Sequence, residues 1–208
     1  MGAMKTPGRK SDIRAAAIAL FAERGYYGTS MADIADAVHI RASSLYNHVQ
    51  SKHELLAHIM VSCQQDLLRE HGAAMSGAHT PAEQLSASMR CHVRFHATHQ
   101  REVLVTNREI NNLEDPDRTM LTQLRRDYVS RWVAILERGR AAGDFAISHP
   151  RLTSYALIDM GMGVAQWYKA EGPVPLEELA EHYVRLARRA VAAKETTAPA
   201  DGLPEEDN

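Results

Sequence analysis

Residues 40–56, IRASSLYNHVQSKHELL, constrain this chain more than any other stretch. A short run of polar side chains at helical spacing stands directly before Ser51-Lys-His-Glu54. A hydroxyl followed three residues later by a carboxylate is the signature of a capped helix start. A helix of about two turns is marginal in water and normally depends on burying an apolar face. Residues 41–49 offer only Leu45, with Ile40 just before it, as an attachment point. Such a helix persists only if neighbours hold it, and its polar side chains are then free to meet something outside the protein.

The neighbours are legible. Ile13, Ala16, Ala17, Leu20, Phe21 and Arg24 follow helical spacing, and Gly25 stops that helix. Thr29-Ser30 precedes Met31, with Asp33 in the first turn, which predicts a capped second helix that buries Ile34, Ala35 and Val38. The third helix is residues 41–49. The fourth opens at the Ser51 cap and runs through Leu55, Ile59, Cys63 and Leu67. Residues 72–79 read as a loop. Thr80-Pro81-Ala82-Glu83 is a second capping box with proline at the first helical position, and helix five runs to about Thr98.

Helix six is expected over residues 102–113. Helix seven runs from Asp115-Pro116 to near Gly143, helix eight from His149-Pro150 to Trp167 and Tyr168, and helix nine from Pro175 through Leu176, Leu179, Tyr183, Leu186 and Val191. No stretch alternates with the period of a strand, so the chain reads as all-α, with about nine helices and no internal repeat. The expected division is an N-terminal helix-turn-helix domain over 1–51, a larger helical domain over 52–195, and a disordered acidic tail over 196–208.

At 208 residues and 45% hydrophobic, the chain is long enough for a sizeable core. A net charge of −2 excludes chain-wide electrostatic binding of nucleic acid, yet residues 1–58 carry seven Lys or Arg against five Asp or Glu. That local excess suits phosphate contact at one end. Two cysteines make no disulfide framework, and no apolar run is long enough for a membrane span or a signal core, so a reducing, cytoplasmic setting is expected. Gly161-Met-Gly163 is no dinucleotide loop, because no strand precedes it; its small residues are expected to let helix eight approach a partner. His92, His96 and His99 share one helix face. That spacing could hold zinc if a fourth group joined, but one helix supplies all three, and neither a metal nor a cofactor is expected.

Helix two, a turn and helix three make a helix-turn-helix, in which the second helix enters the major groove and its N-terminal side chains meet base edges. Arg41, Ala42 and Ser43 would then face the bases of a double-stranded DNA operator, with Ser44 and Asn47 at the edge of reach. Tyr46, His48 and Lys52 would contact phosphate, as would Thr29 and Ser30 at the start of helix two.

The segment AIALFAERGYYGTSMADIADAVHIRASSLYNHVQSKHELL resembles the DNA-binding region of the TetR family of transcriptional regulators. The matching elements are Leu20-Phe21, Gly25-Tyr26, Thr29-Ser30, Asp33-Ile34-Ala35, Leu45-Tyr46-Asn47-His48, Ser51-Lys52 and Glu54-Leu55-Leu56, about forty residues in one register. Two departures stand out. Val38-His39-Ile40 replaces the usual Ala-Gly-Val turn, whose glycine often needs positive φ, and Val49 replaces an aromatic.

The resemblance implies a homodimer that binds a near-palindromic operator and lets go when a small hydrophobic ligand fills the C-terminal domain. WVAILERGRAAGDF, GVAQWYKAEGP and HYVRL further resemble members that sense acyl-CoA thioesters of lipid or steroid breakdown. The implied pocket lies among helices four to eight. Its walls would come from Met89, Val93, Leu104, Val105, Tyr128, Trp132, Ile158 and Met162, and its polar groups from His92, His96, Asn107, Arg108, Glu109 and Gln166. Arg125, Arg126, Arg131 or Lys169 would face the CoA phosphates. Helices eight and nine would pair across a twofold axis through Trp167, Tyr168, Leu179, Tyr183 and Leu186, with the alternative that some of these cover the protomer's own core. The expected function is a ligand-responsive repressor. The alternatives are an activator of the same fold, a helical metal-dependent enzyme using the histidine face, and a scaffold that binds no DNA.

Overall fold

The structure, a computed structural model, describes residues 8–192. Ten α-helices and one 3-10 turn follow one another: α1 (Arg9–Arg24), α2 (Met31–Ala37), α3 (Ala42–Leu45), α4 (Lys52–Ala74), α5 (Pro81–Thr98), α6 (Gln100–Arg108), the 3-10 turn (Ile110–Asn112), α7 (Asp117–Ala141), α8 (Pro150–Met162), α9 (Val164–Trp167) and α10 (Leu176–Ala192). No strand occurs among the described residues, and the fold is all-α. The acidic tail expected from residue 196 lies outside the described residues.

The capped starts form as their sequences dictate. Ser30 and Asp33 bond reciprocally, Asp33 N to Ser30 Oγ at 3.1 Å and Ser30 N to Asp33 Oδ2 at 2.7 Å. Thr80 and Glu83 repeat the arrangement at α5. At α4 the Ser51 hydroxyl accepts from Glu54 N at 3.0 Å, but the Glu54 carboxylate takes the N–H of Gln50 in place of that of Ser51.

Three elements are shorter than their sequence patterns predict. The third helix keeps regular α geometry only over Ala42–Leu45, then continues as a turn in which His48 N and Val49 N both donate to the Leu45 carbonyl. Its one buried side chain, Leu45, anchors a single turn. Helix six stops at Arg108, where Glu109 leaves helical geometry and the Ile110-Asn-Asn turn brings Leu113 inward. Helix eight is divided at Gly163 into α8 and α9.

Two apolar cores form. One gathers Ile13, Ala17 and Phe21 of α1, Ile34 and Ala35 of α2, Leu45 of α3, and Leu55, Leu56, Ile59 and Met60 of α4; Val105, Leu113 and Leu121 join it. The other begins at Cys63 and Leu67 of α4 and runs through Met89 and Val93 of α5, Tyr128 and Trp132 of α7, Leu157 of α8 and Leu179, Val184 and Ala187 of α10. Met60 and Cys63, one turn apart, therefore belong to different cores, and α4 ties the two together. α10 lies along α5, with the half-buried Arg90–Glu181 and the exposed Arg94–Glu177 ion pairs at the seam. Gly161 has a different neighbour from the one expected. A Cβ there would stand 2.3 Å from His92 Cδ2, so this glycine admits the imidazole of the same protomer's α5.

Candidate nucleic-acid interface and ligand cavity

Arg41, Ala42, Ser43, Tyr46, Asn47 and His48 form an exposed polar face around α3, while Ser44 is half-buried and Leu45 holds the element to the core. Arg41 occupies the N-cap in extended geometry, so it stands at the end of the helix that leads into a groove. The turn before it carries His39 at φ 55, a left-handed conformation that a non-glycine residue adopts at a cost. His39 N donates to Asp36 O and Ile40 N to Ala35 O, both at 3.0 Å, and these bonds close the turn.

Three expected phosphate contacts are occupied within the protein. Thr29 is 1% exposed, and its hydroxyl donates to Gly25 O at 2.9 Å; its side chain locks the α1–α2 turn and does not face solvent. The Ser30 hydroxyl donates to Asp33 Oδ2 at 2.6 Å. That carboxylate already sits at the N-terminus of α2, and the Ser30 hydrogen bonds hold its pKa below the usual range. Lys52 directs its ammonium at the main chain, donating to Tyr26 O (2.9 Å) and Thr29 O (2.8 Å) with the Tyr26 ring 4.2 Å away. Of three ammonium donors, one is left for an external anion.

A cavity of about 230 Å³ opens among α4, α5, α6, α7 and α8. His92, His96, Tyr128 and Met162 line it, as do Asn107 and Ile158. Met89, Val93 and Trp132 do not; they are fully buried in the packing behind the wall. Glu109 lies outside the cavity, its carboxylate held by Arg108 Nε at 2.9 Å and Asn112 Nδ2 at 2.6 Å. Gln166 is exposed on α9. Of the four cations considered for a phosphate-bearing ligand, only Arg125 lines the cavity; Arg131 donates to Leu68 O instead. The lining residues that sequence reasoning missed include Gln64, Leu67, Phe95 and Thr106. Gln64 carried a usable signal, since it interrupts the apolar stripe of Met60, Cys63 and Leu67 on one face of α4.

The polar atoms around the cavity have defined roles. His92 Nε2 donates to Ile158 O at 2.9 Å, which leaves Nδ1 to accept from the Tyr128 hydroxyl at 2.8 Å. Burial, with His96 beside it, pushes the His92 pKa well below its ordinary value, and burial raises that of Tyr128, so both are neutral. His96 Nδ1 donates to His92 O at 2.8 Å, and burial brings its pKa down to about 4. Behind them His71 packs on Tyr128 and Trp132, with a pKa lowered to about 4 by burial and then by Arg131. The Cys63 thiol is pushed up to about 11 by burial and stays protonated. His92, His96 and His99 do not converge: His99, between α5 and α6, stacks on Phe95, and no cluster of three metal-ligating side chains occurs among the described residues.

α6 joins the cavity to the DNA-binding end. Its Val103, Thr106 and Asn107 line the cavity, and its Arg108 donates to the main-chain carbonyls of Phe21 and Ala22 at the end of α1. Trp167 is 53% exposed, and Leu152, Val174 and Tyr155, which also lines the cavity, are exposed too. Tyr168 and Leu179 are buried in the protomer's own core, and Tyr183 and Leu186 are half-buried. No helix among the described residues is long and apolar enough to cross a membrane.

Comparison with known proteins agrees with this geometry. Residues 13–59 match the family model of bacterial regulatory proteins of the tetR family, and residues 78–191 match the tetracyclin repressor-like C-terminal domain. The HTH-type transcriptional repressor KstR2 of Rhodococcus jostii is 28% identical over 189 residues, covering 89% of this chain and 92% of the relative. A tetR-family regulatory protein from Rhodococcus RHA1 superposes with a TM-score of 0.83 at 26% identity, over 91% of this chain and all of that one. AibR, solved with isovaleryl coenzyme A and operator DNA, gives 0.77 at 25% identity, over 86% of this chain and 97% of that one. A helix-turn-helix domain on a helical cavity domain, matched along nearly its whole length, is a DNA-binding regulator and not an enzyme, and the chain belongs to the TetR family of bacterial transcription regulators.

Proposed function

We propose that the chain is a cytoplasmic repressor that binds a near-palindromic operator as a homodimer and is released by an acyl-CoA thioester. The observation that carries the ligand class is the cavity itself: a mostly apolar space of about 230 Å³ beside Arg125, whose guanidinium forms no ion pair with a carboxylate among the described residues. That volume equals roughly eight water molecules' share of liquid water. A short acyl group fits, and the nucleotide part stays outside with Arg125 near the entry. The resemblance to KstR2 and to AibR with its bound isovaleryl coenzyme A supports this reading.

Residues 1–51 act as the DNA-reading domain and 52–195 as the ligand and dimerisation domain. Arg41, Ala42 and Ser43 read base edges, and Tyr46, His48 and the remaining Lys52 donor meet phosphate. The exposed Trp167, Leu152 and Tyr155 supply apolar area for pairing two copies, with Tyr183 and Leu186 at its margin. Both recognition helices must stand roughly 34–36 Å apart on one face of DNA. A ligand among α4, α6 and α7 favours a packing in which α4 and α6 carry the reading heads out of that spacing. The shift is limited to the ligand's difference in affinity between the two states.

The test is binding of the purified protein to its own upstream DNA, with and without a panel of acyl-CoA thioesters. Specific binding that a thioester releases is expected. Specific binding untouched by the panel rejects the ligand class, and no specific binding at low salt rejects the repressor. In the same assay Arg41→Ala should cost about 1–3 kcal/mol on the operator and little on random DNA, whereas Tyr46→Phe should weaken both. Equal losses for Arg41→Ala would remove its base-reading role.

A further inference from the structure

Two of the cavity's buried polar groups have no use inside the protein. Gln64 of α4 is 8% exposed and lines the cavity; its carboxamide makes no hydrogen bond to any described residue and stays open to the cavity space. His96 of α5 is 4% exposed and gives its Nδ1–H to His92 O, so its Nε2 presents a lone pair, again with no partner among the described residues. The other buried polar groups around the cavity are committed. His92 uses both ring nitrogens, Tyr128 donates to His92, Thr106 donates to Glu102 O, and the half-buried Arg125 donates to Thr106 O and Asn107 Oδ1.

A carboxamide that has no partner in the protein and faces a mostly apolar cavity is left to whatever fills that cavity. Gln64 sits in the stripe of Met60, Cys63 and Leu67, where a methionine or leucine would continue the apolar face. Among the buried residues of the same cavity lining, the other group with an open position is the His96 lone pair; Asp159, which also lines the cavity, is exposed.

We propose that the part of the effector buried in this cavity carries a hydroxyl group, read by Gln64 and His96, so that the regulator tells an oxygenated acyl group from a plain hydrocarbon one. The proposal rests on the acyl-thioester reading above. A hydroxyl donates to the imidazole lone pair and accepts from the amide N–H, satisfying both groups at once. A ketone satisfies the amide alone. A saturated chain satisfies neither. A carboxylate turns acceptor oxygens toward an imidazole that burial keeps neutral, and is the least favoured. The predicted order of affinity is hydroxyl, ketone, hydrocarbon, carboxylate. Sites built to hydrogen-bond a substrate hydroxyl reject analogues lacking it far more strongly than apolar pockets reject an extra methylene.

The experiment is calorimetric titration of the full-length protein with hexanoyl-CoA, 3-hydroxyhexanoyl-CoA, 6-hydroxyhexanoyl-CoA and adipoyl-CoA. At least one hydroxylated thioester should bind about tenfold to a hundredfold more tightly than hexanoyl-CoA, and adipoyl-CoA should bind most weakly. Gln64→Met and His96→Phe should each bring the hydroxyl preference, read as the ratio of hydroxylated to plain thioester affinity, to within about threefold while operator binding persists. Hexanoyl-CoA binding as tightly as both hydroxylated forms overturns the proposal, as does a preference unchanged in both variants. If no thioester binds, the thioester reading fails separately, and cyclohexanol against methylcyclohexane decides the hydroxyl. A melting shift from cyclohexanol alone supports it; equal shifts, or none, overturn it.

Discussion

Lys52 Nζ donates to the main-chain carbonyl of Thr29 across 2.8 Å, and to that of Tyr26 across 2.9 Å. One side chain at the start of α4 thus fixes the turn that leads into α2. The contact ties the first residue of the long connecting helix to the loop that sets the helix-turn-helix, so the position of α4 and the posture of the DNA-binding face are mechanically linked.

Replacing Lys52 by Met keeps the aliphatic stem and removes the ammonium. Two partly buried carbonyls lose a charged donor, and the Tyr26 ring loses its cation, at a cost of about 1–3 kcal/mol. The urea midpoint should fall accordingly, and affinity should drop by a similar factor on operator and random DNA. A variant as stable as the parent, weakened only on DNA, would mean that the ammonium serves phosphate alone.

His39 holds φ 55 in the turn between α2 and α3. A left-handed non-glycine residue carries roughly 1–2 kcal/mol of strain, while glycine adds chain entropy to the unfolded state. His39→Gly should therefore stabilise the protein by up to about 1 kcal/mol, seen as a higher thermal midpoint, with operator binding intact. Val at the same position should destabilise it. A lower midpoint for the glycine variant would show that the imidazole makes a compensating contact.

The buried histidines predict acid sensitivity of a definite sign. His71 and His96 have folded-state pKa values of about 4, below the roughly 6.5 of an exposed imidazole. As pH falls below 6.5 the unfolded chain takes up protons first, so stability is complete above about pH 7 and declines between 6.5 and 4. At pH 5 the loss is roughly 2 kcal/mol per histidine, with His92 acting in the same direction. Denaturation at pH 7.5 and pH 5 should show it, and His71→Phe should flatten the slope. A protein equally stable at both would refute the assignment of neutral buried imidazoles.

Arg108 of α6 links the cavity wall to the last carbonyls of α1, with Glu109 holding its guanidinium in place. Arg108→Ala should leave effector affinity within about threefold but blunt the release of DNA that the effector causes, and it should cost about 1–2 kcal/mol of stability. The checks are ligand titration with and without operator. Undiminished release would place the coupling in α4 alone.

The parts of this molecule that were legible in its sequence are those governed by interactions within a few residues. Ser30, Ser51 and Thr80 cap their helices because their partners lie three positions away. The unusual turn at His39 and the exposed polar face around α3 follow from the same local reading. The apolar period was enough to establish an all-α chain, because a helix must bury its stripe wherever its neighbours lie.

Tertiary structure alone decided where each side chain on those helices points. Thr29 and Lys52 look like free polar groups until Gly25, Tyr26 and the folded loop supply their partners. Glu109 and Gln166 fall outside the cavity because α6 and α8 each end sooner than their apolar periods imply. Tyr168 and Leu179 turn inward, while Trp167, immediately before Tyr168, stays out. Gln64 acquires its meaning only when α4, α5 and α7 enclose it. Spacing along one helix determines which residues share a face, but crossing angles and distances between helices determine what that face meets, and those emerge from packing all of them at once.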